Sequence, residues 1–234
     1  MKEKAISLGP RNRSSFTKVA FYLGYLSALV LFIIGLRHLG DVAEFDRRFG
    51  IRATLEGLFA FAGIYLVDLV KGKQFRIIPK RFTPITPKTL TRGILIFGVL
   101  ALIQIVLMQI PLRIRSGEMA IAIVFAAPAE ELFFRGVILS VIIELGKITK
   151  HTSHGPKLLR ITPIELAGLV LSALAFMSIH INYYGNLQYM LIVFISGLIL
   201  GFAYWYWEDL TACIVAHFIL NVIVAYQTFW MVEL

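Results

Sequence analysis

Long apolar segments alternate with short polar or charged segments along the whole chain. A helix that crosses a bilayer needs about 20 mainly apolar residues, and several segments of this chain meet that requirement. The segments are 18–36, 53–70, 93–112, 119–145, 163–183, 187–207 and 210–231. The pattern therefore predicts an all-α fold, a polytopic transmembrane helix bundle of about seven spans.

The composition favours a membrane protein over a soluble one. Hydrophobic residues make up 58% of the 234-residue chain and charged residues only 16%, whereas soluble domains carry about 25% charged residues. The net charge of +9 comes from basic residues in the loops between apolar segments, which is a pattern of membrane topology. We therefore expect the lipid bilayer, and not nucleic acid, as the partner of this charge.

Lysine and arginine residues are divided unequally between the two sides of the predicted bundle. With the N-terminus inside, the inner segments hold 16 of them and the outer loops hold 6. The positive-inside rule then predicts a multi-pass protein of the cell membrane with a cytoplasmic N-terminus. The predicted organisation is a basic cytoplasmic leader at 1–17, N-terminal transmembrane helices within 18–112, and core helices within 119–231.

Three ionisable side chains lie in the middle of the fourth apolar segment: Glu130, Glu131 and Arg135. A charge at the bilayer centre costs roughly 2.5–3.5 kcal/mol, so such residues usually mark a functional site that faces the bundle interior. Glu131 and Arg135 are i,i+4 neighbours and are predicted to pair, although such a pair could serve only to order the bundle. Glu130 is turned by about 100° around the helix, which leaves it as the candidate general base. Pro128 is predicted to bend the helix beside the acids and admit water.

Two further polar pairs occur on predicted membrane helices. Phe176 and His180 share one face of the fifth segment, and His217 and Asn221 share one face of the seventh. A lone histidine in an apolar helix is more often a core residue than a functional one, but here there are two, with an amide and two carboxylates. Together they supply a base, an imidazole and oxyanion donors. This is the chemistry needed to add water to an amide.

The predicted segment boundaries separate these groups vertically. Glu130 falls near the middle of its segment, whereas His180 lies near the outer end of its own. With a rise of about 1.5 Å per residue, ordinary tilt does not close the gap. Either the boundaries are shifted, or a kinked fourth helix and a wet cavity bring the groups together. Elsewhere, Gly197 and Gly201 form a pair of small residues that predicts close helix packing.

The three motifs in this order resemble those of the CPBP family of intramembrane proteases. This family comprises the CAAX prenyl proteases of the Ras-converting-enzyme type and the bacteriocin-processing and immunity proteins, also called the ABI family. The motifs are Glu-Glu-x-x-x-Arg, Phe-x-x-x-His and His-x-x-x-Asn, matched here by Glu130, Glu131, Arg135, Phe176, His180, His217 and Asn221. The resemblance covers about 119–231. It implies an endopeptidase that hydrolyses a peptide bond of a membrane-associated protein or peptide reached from the membrane.

The resemblance also implies a role for each polar residue. Glu130 and His180 would activate the attacking water, and His217 with Asn221 would hold the oxyanion. The acidic–basic pair that follows Glu130 would brace the site. CAAX-like termini, bacteriocin leaders and sorting-signal peptides all remain open as substrates.

An older view of the family makes the acids and histidines ligands of a divalent metal such as Zn²⁺, whose usual ligands include both residue types. The ligands would then be Glu130, Glu131, His180 and His217. The zincin motif His-Glu-x-x-His is absent from the sequence. We therefore favour the metal-free glutamate mechanism, with no cofactor.

Two other functions use similar residues. A proton-coupled transporter also carries intramembrane glutamate and histidine, but the inverted repeat with broken helices that would favour it is not visible in the sequence. A catalytically silent immunity or binding member of the same family is the second alternative. Its intact motifs argue against silence.

Overall fold

The computed structural model describes residues 84–107, 117–149, 156–180 and 187–230. Its α-helices are α1 (Pro87–Leu107), α2 (Gly117–Glu131), α3 (Ser140–Thr149), α4 (Pro163–Ser178), α5 (Leu187–Trp207) and α6 (Leu210–Trp230). A π-helical segment, Leu132–Leu139, joins α2 to α3 in one continuous rod, and a 3₁₀ turn, Lys157–Arg160, precedes α4. The described residues are all-α, as predicted. The predicted segments 18–36 and 53–70 lie outside them.

Helix α1 begins six residues before the predicted apolar segment 93–112. Pro87 occupies its first position, where the missing N–H costs nothing, and the hydroxyl of Thr86 accepts a hydrogen bond from Thr89 N at 3.2 Å. These capping signals start the helix in a polar stretch. Hydropathy alone placed the start too late because it does not register caps.

Helix α4 ends earlier than predicted for the segment 163–183. Its N-terminus is fixed by a capping box, in which the side chains of Thr162 and Glu165 each bond the backbone of the other residue. Its last turn tightens where His180 N donates to Met177 O at 3.0 Å, an i→i−3 bond of the kind that closes helices. The α-helix therefore stops at Ser178, and His180 lies in the turn that follows.

Within the part of the chain described, two helical stretches are long and apolar enough to cross a membrane: Pro87–Val106 and Leu187–Trp207. Two shorter apolar stretches, Pro163–Ser178 and Leu210–Tyr226, accompany them. Large aliphatic side chains such as Ile105, which is 75% exposed, cover the outer face of α1. Soluble proteins seldom expose an apolar surface of this extent, so the chain has the surface of a membrane protein.

Packing brings three helices onto the π segment. Helix α6 packs along both α1 and α2, and α4 packs along α5. The π segment contacts α4, α5 and α6, and its side chains at Phe133, Phe134 and Val137 are buried together with Phe176 of α4. Side chains from four elements can therefore meet at the start of the π segment.

The junction between α5 and α6 is built from two acidic residues. Glu208 has a φ of 52°, the left-handed conformation that commonly follows a helix C-terminus, and its N–H donates to Tyr204 O at 2.7 Å. Asp209 then caps α6 by accepting from Ala212 N at 3.1 Å and pairs with Arg92 at 3.0 Å. These contacts fix where α6 begins, and hence the height of the polar residues two and three turns further along it.

Candidate active site

The centre of the site is a fully buried ion pair shared with a histidine. Arg135 Nη1 donates to Glu131 Oε1 at 2.8 Å, and both side chains are 0% exposed. His217 Nδ1 lies 2.9 Å from the same carboxylate oxygen. The predicted i,i+4 pair is therefore present, and it connects the rod to α6.

Arg135 is held on two further sides. Its Nη2 donates to the main-chain carbonyl of Gly197, in the middle of α5, at 3.1 Å. Its guanidinium lies 4.6 Å from the ring centroid of Phe176, within the range of a cation–π contact. A side chain with this many fixed neighbours cannot change rotamer without disturbing α4 and α5, so Glu131 is held in place as well.

The contact with Glu131 determines the state of the His217 ring. An ionised carboxylate only accepts hydrogen bonds, so His217 Nδ1 carries the proton and donates. In the neutral ring the lone pair is then on Nε2. That atom lies 3.8 Å from Glu130 Oε2, too far for a direct hydrogen bond. Glu130 is itself buried, with 4% of its surface exposed, so two proton-accepting atoms, Glu130 Oε2 and His217 Nε2, lie close together in the interior.

His180 joins the site through Phe176. Its ring packs against the Phe176 ring with centroids 4.8 Å apart. The centroid of the His217 ring lies 5.8 Å from that of the same Phe176 ring. His180 Nδ1 lies 2.8 Å from Phe176 O, and since a carbonyl only accepts, this nitrogen donates and Nε2 carries the lone pair. The half-buried His180 and the buried His217 therefore both contact the Phe176 ring.

Asn221 lies one turn beyond His217 on α6 and reaches back to α2. Its Nδ2 donates to Ile123 O at 2.8 Å. Ile123 precedes Val124, whose carbonyl Pro128 leaves without its helical donor. The asparagine therefore binds α2 one residue before the carbonyl that Pro128 leaves without a helical donor, and the second hydrogen of its amide is the one that could serve a ligand.

Several contacts of the site were not predicted from the sequence. The π segment itself leaves no mark on hydropathy. The sequence signals from which it could have been predicted are a proline shortly before it and hydroxyl side chains nearby. Ser140 donates to Arg135 O at 2.8 Å and Ser172 donates to Phe134 O at 3.0 Å. Gly197, predicted only as a packing residue, also supplies a carbonyl to Arg135.

The four residues considered as zinc ligands do not fit a metal in this arrangement. Within 84–107, 117–149, 156–180 and 187–230, no three His, Cys, Asp or Glu side chains are grouped so that they could hold an ion. Glu131 Oε1 is already shared by a guanidinium and an imidazole. A zinc ion would need three or four donors at about 2.0–2.3 Å around one point, and the described residues do not gather such a set.

Residues 114–223 match the protein family described as Rce1-like, type II CAAX prenyl endopeptidase. This range contains all three motifs, from Glu130 to Asn221. No curated protein and no solved structure shows significant similarity to the chain.

Proposed function

From the premise that residues 114–223 form a domain of the Rce1-like type II CAAX prenyl endopeptidase family, we propose that the chain is an intramembrane endopeptidase. Membership of this family implies a protease that acts on proteins in a membrane setting. The proposed reaction is hydrolysis of a peptide bond by water that Glu130 activates. The observation that supports it best is the pair of buried proton acceptors, Glu130 Oε2 and His217 Nε2, 3.8 Å apart.

The first step is proton removal from water. Glu130 takes a proton as the water oxygen attacks the carbonyl carbon of the scissile bond, so that a C–O bond forms and the carbonyl oxygen becomes an oxyanion. His180 Nε2 accepts a hydrogen bond from the same water and orients it. General-base catalysis of this kind contributes about 10²–10⁴-fold.

The second step stabilises and then collapses the tetrahedral intermediate. Asn221 donates its second amide hydrogen to the oxyanion, and His217 donates from Nε2 once that atom has received a proton from Glu130. A preorganised donor such as the Asn221 amide contributes about 10²–10³-fold. His217 Nε2 then gives this proton to the amide nitrogen, the oxyanion returns to a carbonyl oxygen, and the C–N bond breaks, which releases one product with a new amine and the other with a new carboxylic acid.

The Glu131–Arg135 pair holds these groups in position and does not react. Glu131 orients the His217 ring through Nδ1, in the way that a carboxylate orients the catalytic imidazole of a serine protease. Arg135 neutralises the charge of Glu131 in a buried setting. The proposed mechanism uses only side chains of this chain and no metal.

The proposal is tested by comparing cells that express the wild-type chain with cells that express Glu130→Gln. An amide cannot take a proton from water, so the variant should fold and should leave its substrates uncut. Quantitative proteomics of peptide termini in the membrane fraction would reveal junctions that depend on Glu130. Glu144→Gln is the matched control, because Glu144 pairs with Lys147 at the half-exposed end of α3 and should change nothing.

The absence of any Glu130-dependent junction, with both variants expressed at wild-type level, would contradict the proposal. It would favour the silent immunity or binding protein that the sequence left open. Junctions that disappear in Glu144→Gln as well would show that the loss does not come from the proposed base.

A further inference from the structure

The π segment is held by hydroxyl groups that bond to its carbonyl oxygens. Arg135 O accepts two hydrogen bonds from Ser140, one from the main-chain N–H and one from Oγ at 2.8 Å. Ser140 Oγ also lies 2.6 Å from Tyr204 Oη. All three residues are fully buried. A wide turn exposes carbonyls that an α-helix would satisfy, and unpaired they would be costly in an apolar interior.

The direction of these bonds follows from the donors present. A serine hydroxyl has one hydrogen, and that of Ser140 is given to Arg135 O. The bond between the two hydroxyls must therefore be donated by Tyr204. The result is a chain of donors from Tyr204 Oη through Ser140 Oγ to the main chain of Arg135.

Helix α5 thus holds Arg135 at two points. Gly197 O accepts from the guanidinium, and Tyr204, seven residues further along the same helix, reaches the Arg135 carbonyl through Ser140. A spacing of seven residues places both on one face of α5. The side chain and the main chain of Arg135 are therefore fixed to the same rigid element.

The geometry points to Tyr204 as a positioning residue for the proposed peptidase reaction, acting through Ser140. Its hydroxyl fixes the π segment, the π segment fixes Arg135, and Arg135 fixes Glu131 and through it His217. The inference rests on the proposed function for its catalytic consequence. Its structural consequence, that the Tyr204 hydroxyl stabilises the π-helical conformation of residues 132–139, does not depend on the proposed function.

Tyr204→Phe removes only the hydroxyl and keeps the ring, so the helices remain packed. We expect kcat to fall about three- to ten-fold, the range of one hydrogen bond, with KM changed less than two-fold. The substrate is a peptide that spans a Glu130-dependent junction from the terminal proteomics. Tyr206→Phe is the matched control, since Tyr206 lies on the same helix, is 43% exposed and should leave kcat unchanged.

Hydrogen–deuterium exchange of the full chain in detergent provides a readout that needs no activity. Amides of residues 132–139 should exchange faster in Tyr204→Phe than in the wild type or in Tyr206→Phe. Ser140→Ala should give the same effect, and the double variant Ser140→Ala/Tyr204→Phe should lose no more kcat than Ser140→Ala alone. Ser172→Ala removes a different hydrogen bond, the one that α4 donates to Phe134 O. The fold-loss in kcat that it causes should therefore multiply with the fold-loss caused by Tyr204→Phe.

Three results would overturn the inference. They are a wild-type kcat in Tyr204→Phe while Glu130→Gln is inactive, an equal loss in Tyr206→Phe, or unchanged exchange at 132–139. If Glu130→Gln cleaves as the wild type does, the proposed function fails, but the exchange rates at 132–139 still decide whether Tyr204 holds the segment.

Discussion

Two clusters of charged residues in this bundle each pair a glutamate with two basic side chains, and they differ in burial. The site cluster (Glu131, Arg135 and His217) is 0–8% exposed, with contacts of 2.8 and 2.9 Å. The end cluster (Lys147, Lys157 and Glu208) is 35–41% exposed, with contacts of 3.3 and 3.8 Å. Exposed pairs are worth about 0–1 kcal/mol, whereas loss of one partner from a buried pair is strongly destabilising. Burial, more than distance, sets what each cluster does.

The end cluster joins helix ends and contributes no reacting group. Lys157 Nζ donates to Tyr206 O, a carbonyl near the C-terminus of α5, at 2.8 Å, and it lies 5.5 Å from the Trp205 ring centroid. A cation at this position satisfies a terminal carbonyl and interacts favourably with the helix dipole. The cluster therefore links α3 and the 3₁₀ turn to the C-terminal end of α5.

The largest effect on stability should come from neutralising the site cluster. Glu131→Gln leaves the buried Arg135 without a counter-ion, and breaking a buried pair in this way costs about 3–5 kcal/mol. Thermal unfolding in detergent should show a large drop in the midpoint, whereas Glu130→Gln should unfold near the wild type. Equal midpoints for the two variants would mean that the pair does not stabilise the bundle.

The sequence predicted the pairs that depend on one helix and missed the contacts that depend on several. The i,i+4 spacing placed Glu131 beside Arg135 and His217 above Asn221, because helix geometry alone sets those distances. The spacing could not predict the hydrogen bond from Arg135 to Gly197 O, since that contact depends on how α5 packs against the rod. Hydropathy also cannot reveal one extra residue per turn, so the π segment was not predicted.

The site residues are next in the order of expected effects. Without a metal, His180→Ala should lower kcat by about 10²–10⁴-fold and Asn221→Ala by about 10²–10³-fold. Asn221→Ala is informative because asparagine is a poor zinc ligand and a good oxyanion donor. Activity should also survive strong chelation. Elemental analysis that finds about one zinc per chain, lost to a chelator together with activity and lost in His180→Ala and His217→Ala, would establish the metal alternative instead.

A smaller effect is expected where α5 meets α4. A Cβ at Gly197 would lie 3.2 Å from the Cα of Ala173 and 3.3 Å from Phe176 Cδ1, so α4 would have to move. Overpacking of this kind costs about 1–3 kcal/mol, and it would shift the Phe176 ring that contacts both histidines. Gly197→Ala should therefore lower kcat as well as stability.

Gly201 provides the control, one turn further along α5. A Cβ there would meet Leu169 at 3.4 Å and Leu139 at 3.5 Å, which are ordinary contacts with flexible side chains. Gly201→Ala should keep wild-type kcat and a thermal midpoint close to that of the wild type. If both variants lose activity equally, the close approach at Gly197 has no special connection to the site.

The smallest effect should come from the end cluster. Glu208→Gln removes a negative charge between Lys147 and Lys157, but all three side chains are more than a third exposed, and water replaces the lost interaction. Lys157 keeps its bond to Tyr206 O, and the left-handed backbone at Glu208 accepts glutamine about as well as glutamate. We expect a change in unfolding free energy below about 1 kcal/mol, weaker still at high salt, with kcat unchanged. A loss as large as that of Glu131→Gln would show that the helix ends, and not burial, govern the stability of this bundle.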